Sequence, residues 1–429
     1  KYLPSSPKAQ IKYRRINIFL KNWLKTLDLP TVMAVDWTQL PQDIIETISK
    51  NLRIYTDYLN FRWVCHTWRS STPKIPHHLP PQLPLLMVSQ SPQQQQPHQS
   101  SRCAFFNISN NKLRFLNLPE LSHRNRHCGS SQGWLIILDE SPIVLLLNPL
   151  TRAKIYLPPL SSFPHIVRFS YSDMGSEYGL RSPSGGHRTL DSNQMRDRFI
   201  KKVVLSSSPS EGTDFVAIAI LNNSGGLAYC RNGDTGWTII QDAHSYYEDV
   251  ISYKGVFYAV DKFGEIAVCN VRGGHVGVSF IETPSQIGGD MQYLVELGGE
   301  FLLVTRFIHL EPDIEPNHLV FRTKRFEVFR LDRTERKWER LTNLGEQMLF
   351  LGRNSSLSLS AADFPGCVGN CIYYTDNNLE THYNGVFGEH DVGLFNLSDG
   401  SIEPLSCFVQ NSYLRLLRPT SIWVTPNPW

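Results

Sequence analysis

From Cys103 onward the chain repeats one unit, a short apolar strand, a polar turn and a second short strand, and this repetition narrows the architectures open to it. The unit occurs five times: 143–147 through Thr151 to 155–157, 227–229 through 232–234 to 237–239, 266–268 through 273–274 to 276–278, 326–329 through 332–333 to Trp338, and 392–395 through 399–400 to Ile402. Turns of Asn, Asp and Gly between β-branched flanks favour antiparallel hairpins. Four of the five follow a glycine-led apolar strand, beginning at Gly133, Gly255, Gly299 and Gly369. A glycine-led strand and then a hairpin that often ends near tryptophan is the pattern of a propeller blade. The 327 residues from Cys103 to Trp429 allow about six or seven blades at roughly 40 to 50 residues each. An open ring would expose a strand edge, so Ile422, Trp423 and Val424 are expected to pair near Leu85–Val88 and close it.

Upstream the period changes to that of a helix. Leu40-Pro41-Gln42-Asp43 opens the first helix, with Pro41 supplying a preset φ where a missing N–H does no harm. Ile44, Ile45, Ile48 and Leu52 then recur at helical spacing and form one apolar stripe. Asp57 is the expected N-cap of a second stretch carrying Leu59, Phe61, Val64, Cys65 and Trp68, which Pro73 and Pro76 end. So short a helical segment buries too little surface to stand alone, and its stripe needs a partner, either another protein or the chain's own larger domain.

The expected domain layout is therefore a basic extension over 1–33, a helical module over 34–75, a Pro/Gln-rich linker over 76–102 with a possible closing strand at 83–88, and a propeller over 103–429. The first 32 residues hold seven Lys or Arg and one acid, which suits a targeting segment or a non-native extension, with Met33 as the expected start. Removing them leaves 35 basic against 38 acidic residues, so the body offers no electrostatic footprint for nucleic acid. No window reaches the eighteen or so apolar residues of a membrane helix. Eight cysteines in 429 residues do not make a disulfide scaffold, and a reducing compartment follows, in which the sequons at Asn107, Asn222, Asn354 and Asn396 are inert.

Chemistry is sparse along the chain. Asp234-Thr235-Gly236 matches half of an aspartic-protease pair, but no second copy exists and its flanks are turn formers. His123, His127 and Cys128, and separately Cys367 and Cys371, lack the spacing of a four-coordinate metal site. Cys230 and Cys269 sit at strand positions and read as small core residues. No catalytic, metal or cofactor residue is expected.

Two resemblances give these features a meaning. Leu40-Pro41, Asp43-Ile44-Ile45 with Ile48, Phe61-Arg62 with Val64-Cys65, and Trp68-Arg69 resemble an F-box in order and length, with Trp63 standing where a small residue is usual. The remainder is similar to plant F-box proteins that end in a degenerate kelch-like propeller of the KIB type. The matching stretches are Gly129–Trp134 with Leu147–Thr151, Lys202–Pro209, Tyr253–Asp261, Phe326–Phe329, Leu351-Gly352 followed by Ser358, and Trp423–Pro426. The resemblance implies a mainly β chain, a small α-helical F-box followed by that propeller. It also implies a non-enzymatic substrate receptor of a Skp–cullin–F-box ubiquitin ligase, working in the nucleus or cytoplasm. On that reading Leu40, Pro41, Ile44, Ile45, Ile48, Leu59, Val64, Cys65 and Trp68 form the face for a Skp-type adaptor and the small core behind it, with Trp68 as the expected anchor. Cullin and RING subunits join through the adaptor and carry out the transfer chemistry. The target protein meets loops of the propeller, with insertions at about 161–198, 308–320 and 375–391 as candidates. The alternatives are a propeller enzyme, sugar-processing or copper-dependent, which would need His, Tyr or carboxylates clustered at the channel, a scaffold outside any ligase, and an organelle-targeted paralogue, addressed by residues 1–32, with a vestigial F-box.

Overall fold

Three of the glycine-led strands begin at two-residue turns in which both residues have positive φ: Gln132-Gly133 (53° and 82°), Lys254-Gly255 (51° and 74°) and Gly298-Gly299 (61° and 93°). This is type I′ geometry, whose twist matches that of the strands it joins and which favours glycine. The computed structural model describes residues 37–427 except 75, 89–101, 122–123, 182–184, 223–224, 244–246, 272–275, 282–286, 313–318, 376–390 and 411–419. The expectations for the basic extension, the glutamine tract, His123 and most of the 375–391 insertion fall outside the described residues.

The chain divides into two compact units, residues 1–82 with 428–429, and residues 83–427. The first unit carries helices α1 (Gln42–Asn51), α2 (Tyr55–Arg62) and α3 (His66–Ser70). The second is built from strands. Blade 1 contains β1 (Leu85–Val88), β2 (Arg102–Asn107) and β3 (Lys112–Asn117), and blade 2 contains β4 (Arg126–Ser131), β5 (Trp134–Leu138), β6 (Val144–Leu147) and β7 (Lys154–Leu157). An insertion follows, with β8 (Ile166–Phe169), β9 (Tyr178–Arg181), β10 (His187–Leu190) and helix α4 (Ser192–Arg198). Blade 3 has β11 (Ile200–Leu205), β12 (Val216–Leu221), β13 (Leu227–Arg231) and β14 (Thr238–Ile239); blade 4 has β15 (Tyr247–Tyr253), β16 (Val256–Asp261), β17 (Ile266–Asn270) and β18 (Gly277–Ile281). Blade 5 has β19 (Met291–Leu297), β20 (Glu300–Pro312), β21 (Leu319–Asp332) and β22 (Lys337–Leu341). Blade 6 has β23 (Gln347–Leu351), β24 (Leu357–Ser360), β25 (Cys371–Tyr374), β26 (Gly393–Asn396) and β27 (Ile402–Glu403). The last strand, β28 (Ile422–Val424), returns to blade 1.

Among the described residues seven sheets result, and six of them form the ring. Apolar clusters occupy each junction between successive blades: Leu135 and Ile137 with Phe105, Leu146 with Val203, Ile218 with Val250, Val260 with Leu303, Val304 with Phe395, and Phe350 with Phe106. The sheet of β8, β9 and β10 packs through Tyr178 and Leu180 onto the cluster of blades 2 and 3, so it is an outer addition and not a seventh blade. The polar composition of 161–198 therefore conceals a folded insert, with Asp191 and Gln194 forming a reciprocal cap at the start of α4.

All five expected hairpins are the outer strand pairs of blades 2 to 6. The fourth glycine-led strand differs from the others, because β25 runs parallel to β23 and is reached by a crossover through β24. Tryptophans at the hairpin ends fasten one blade to the preceding one. Trp237 Nε1 donates to the Pro158 carbonyl (2.8 Å) and Trp338 Nε1 to the Gly264 carbonyl (3.0 Å). Asp234-Thr235-Gly236 is a turn, in which the Asp234 carboxylate accepts the Arg231 N–H at 2.7 Å. Cys230 and Cys269 are buried in strands, and burial pushes the Cys269 thiol up to about 12.

Closure takes the expected form. Leu85, Leu86 and Met87 pair antiparallel with Val424, Trp423 and Ile422, so β1 lies within the stretch read as linker. Beyond β28 the chain is stapled to its neighbours by Asn427, whose side chain donates to the Gln132 carbonyl and Ser208 Oγ (2.8 Å each) and whose carbonyl accepts from Asn148 Nδ2 (2.7 Å). A Cβ on Gly133 would stand 2.1 Å from Asn427 Cβ, a second reason for glycine there.

The segment 352–356 crosses the inner ends of the blades. Its backbone meets Ser130 of blade 2 (Ser355 N–H to Ser130 O, 2.6 Å), the Gly352 carbonyl faces Lys202 of blade 3 (3.4 Å), and Ser356 Oγ donates to Asp249 of blade 4 (2.8 Å). Asp249 is the hub, accepting also from Lys202 Nζ (2.5 Å) and the Leu294 N–H of blade 5 (3.1 Å). Gly352 has no room for a side chain, since its Cβ would lie 2.1 Å from Thr375 Oγ1. Asn354 is buried in this segment, which closes its sequon to any glycan. Removing one member of a buried ion pair strands the other charge. Lys202→Met is therefore expected to lower stability by about 3–5 kcal/mol, measured by urea unfolding of the full chain.

Candidate functional site

In the first unit the helical stripe splits between two faces. Ile45 is fully buried with Phe61, Val64 and Trp68, and Trp37, Leu40, Ile48, Leu52 and Cys65 pack around them in part. Ile44, one residue and about 100° away on α1, points outward at 42 % exposure. Pro41 is exposed at i−3 from Ile44, on the same side of α1. Leu59 is half-buried, and Trp63, following α2, is 60 % exposed. The nine expected residues thus sort into an inner set (Ile45, Val64, Trp68), a half-buried set (Leu40, Ile48, Leu59, Cys65) and an outer pair (Pro41, Ile44).

Trp68 is not placed as an anchor for another protein. It is 1 % exposed, its ring lies 4.3 Å from that of Phe61, and its indole N–H donates to the Trp37 carbonyl at 3.1 Å. A large aromatic with one polar atom is stable inside so small a core only when that atom is satisfied, as here. Cys65 also has a local duty, its sulfur accepting the Trp68 N–H at 3.5 Å and capping α3.

Helix starts differ from the sequence reading in two places. Pro41 occupies the N-cap position of α1, its carbonyl accepting the Ile45 N–H at 3.1 Å. Asp57 lies in the first turn of α2, where its charge suits the helix dipole, while the N-cap is Ile54 with no side-chain cap of its own. Gln82 supplies what Ile54 lacks: its Oε1 accepts the Tyr55 N–H (2.8 Å), and its Nε2 donates to the Arg53 and Pro80 carbonyls (3.0 and 2.7 Å). His78 likewise reaches the Ser49 carbonyl (3.0 Å), and Tyr58 OH donates to the Pro73 carbonyl (2.7 Å). Residues 76–82, read as linker, therefore complete the helical module. Nothing local in the sequence signals this, because the Gln82 and Tyr55 partners are 27 residues apart.

A second candidate surface lies on blade 5. β19 stops pairing with β20 at Arg306, and β22 pairs with β21 only from Val328 onward. Residues 307–312 and 319–327 therefore extend beyond the four-stranded part of the sheet as a strand pair, carrying exposed Leu310 (46 %) and with Arg325 stacked on Phe307 at 3.6 Å. Arg306 anchors its base. This guanidinium is 1 % exposed and donates to Asp391 Oδ2 (2.8 Å), Thr323 Oγ1 (2.8 Å) and the Thr375 carbonyl (3.1 Å). It thus holds both residues that flank 376–390. Among the described residues no group of three His, Cys, Asp or Glu side chains could hold a metal ion, and no helix is long and apolar enough to cross a membrane.

Fold and site together define a two-part chain, a helical module with an apolar outer edge and a six-bladed propeller. Residues 105–396 match the KIB1-4 beta-propeller family. F-box protein SKIP23 of Arabidopsis thaliana is 30 % identical over 417 residues, covering 92 % of this chain and 96 % of that protein. F-box protein At2g17036 of the same plant is 27 % identical over 419 residues, again covering 92 % and 96 %. The chain belongs to the KIB1-4 beta-propeller family, among its plant F-box proteins.

The geometry separates buried core residues from an exposed edge. Trp68→Ala is expected to destabilise the helical module by about 3–5 kcal/mol through its core, seen as rapid proteolytic cleavage within residues 37–82 while the propeller stays intact.

Proposed function

We propose that this protein is the substrate receptor of a Skp–cullin–F-box ubiquitin ligase, with the helical module docking a Skp-type adaptor and the propeller holding the target protein. The carrying observation is the split stripe of α1: Ile45 faces the module's core while Pro41 and Ile44 stay exposed on one side. An apolar edge on so small a module is a liability unless a partner covers it. The naming of the relatives as F-box proteins supports the same reading. Cullin and RING subunits then join through the adaptor, and they and the E2 enzyme carry out ubiquitin transfer. The propeller's part is positional, and a ring closed by β1 and β28 suits that task, since it presents its loops on a rigid frame. The expected place of work is the nucleus or cytoplasm.

Ile44→Asp places a charge on the outer edge without touching Ile45. It is expected to weaken adaptor binding more than tenfold in a pull-down or calorimetric titration while leaving the unfolding transition unchanged. Full binding by this variant, or by a Leu40/Pro41 double-alanine variant, would overturn the docking assignment.

Target contact belongs on the blade 5 strand pair in this reading, because the pair extends beyond the four-stranded part of its sheet and carries Leu310 exposed. Replacing residues 309–320 by a short Gly-Asn turn is expected to abolish capture and ubiquitylation of the cellular target while adaptor binding persists. Unchanged target capture by the shortened protein would move the target site elsewhere on the propeller.

A further inference from the structure

Blade 1 ends on β3, which pairs with β2 on one side and, among the described residues, with no strand on the other. Such an edge offers a row of backbone donors and acceptors to an extended chain. Side chains alternate between the two faces of a strand, and residues directly opposite each other share a face. The register sorts β3 accordingly. Leu113 and Phe115 lie opposite Phe106 and Ala104 on one face, whereas Lys112 and Arg114 lie opposite Asn107 and Phe105 on the other.

Each face has its own chemistry. Phe115 is 44 % exposed, and the Arg102 guanidinium lies over its ring at 4.7 Å. Lys112 and Arg114 are both exposed. No Asp or Glu occurs from Arg102 to Pro119, and the next acid, Glu120, is engaged by Arg152 and Lys154 at 2.6 and 3.0 Å. Outer strands of other blades match their bases with carboxylates: Lys154 of β7 with Glu120, and on β22 Lys337 with Glu339 (3.7 Å) and Arg340 with Glu327 (3.1 Å). Among the described residues β3 is thus the one outer blade strand with two basic side chains and no ion pair.

A second copy laid edge to edge would set these bases against their own kind, which argues against self-pairing. A strand of opposite chemistry meets no such penalty. Its carboxylates would lie beside Lys112 and Arg114 on one face, and its apolar side chains beside Leu113 and Phe115 on the other. We propose that β3 is a docking edge for an extended segment of another protein in which acidic and apolar residues alternate, added to blade 1 as a further strand. Backbone hydrogen bonds supply affinity in this mode and the alternating side chains supply specificity. Arg114 and Phe115, adjacent in sequence and on opposite faces, read the two phases of the alternation. The edge is separate from the adaptor edge and from the blade 5 strand pair, and it stands without the ligase reading.

The probe is a fluorescein-labelled peptide of alternating Glu and Val, titrated against the full chain by anisotropy. A second peptide has the same composition in two blocks, and a third has its backbone amides N-methylated. Saturable binding of the alternating peptide is expected. The other two are expected to bind at least roughly tenfold more weakly, one having lost the match of faces and the other the backbone donors. Arg114→Glu, at an exposed site, is expected to weaken the Glu/Val peptide by more than about tenfold and to gain binding of the corresponding Lys/Val peptide, with Tm unchanged. Phe115→Ser is expected to weaken the Glu/Val peptide about fivefold. Equal binding of the alternating and block peptides, binding that survives N-methylation, or wild-type affinity in Arg114→Glu would overturn the docking edge. Absence of saturable binding would do the same, and would leave the bases as protection of a free edge against self-pairing.

Discussion

A ring of sheets has one weak place, the seam where its two ends meet, and three residue pairs between β1 and β28 close it here. Unpaired strand edges expose a row of backbone donors and acceptors, so an open propeller would be a template for association. The seam is reinforced by packing as well as by hydrogen bonds. Trp423 is fully enclosed against Phe350 and Tyr373 of blade 6, with ring centroids 5.2 and 6.1 Å away. Asn427 continues the closure by tying the tail to blades 2 and 3. Every inter-blade core depends on this seam, because each blade buries its faces only while both neighbours stay in place.

The second constraint is at the centre. Inner strands converge, and their polar groups must find partners away from bulk water. The segment 352–356 meets that need by crossing blades 2, 3 and 4 and converging on Asp249. Stretches shared with the family resemblance thereby acquire structural duties. Lys202 pairs with Asp249, Gly352 admits Thr375, Asn148 organises its own turn and holds the tail, and Ser358 bonds the Glu296 carbonyl at 2.9 Å.

The helical module shows the other side of small size. It relies on the cluster of Ile45, Phe61, Val64 and Trp68 and on a glutamine from beyond its last proline. Trp68 looked like an interface anchor because tryptophan dominates interfaces, but a module this small needs its largest residue for its own core. Of the residues read as an adaptor face, Pro41 and Ile44 are the two left exposed.

Local pattern was enough for the blade hairpins, the glycine turns and the closing strand, since alternation, turn chemistry and a free edge act over a few residues or through a single pairing. The F-box landmarks were legible for the same reason, in helical spacing and proline position. Only the tertiary structure decided which side of α1 faced inward, that Gln82 caps α2, that β8–β10 form an added sheet and that 352–356 bridges blades 2, 3 and 4. Those outcomes depend on contacts between residues tens to hundreds of positions apart, where burial and unmet hydrogen bonds choose the partner and no short-range period records the choice.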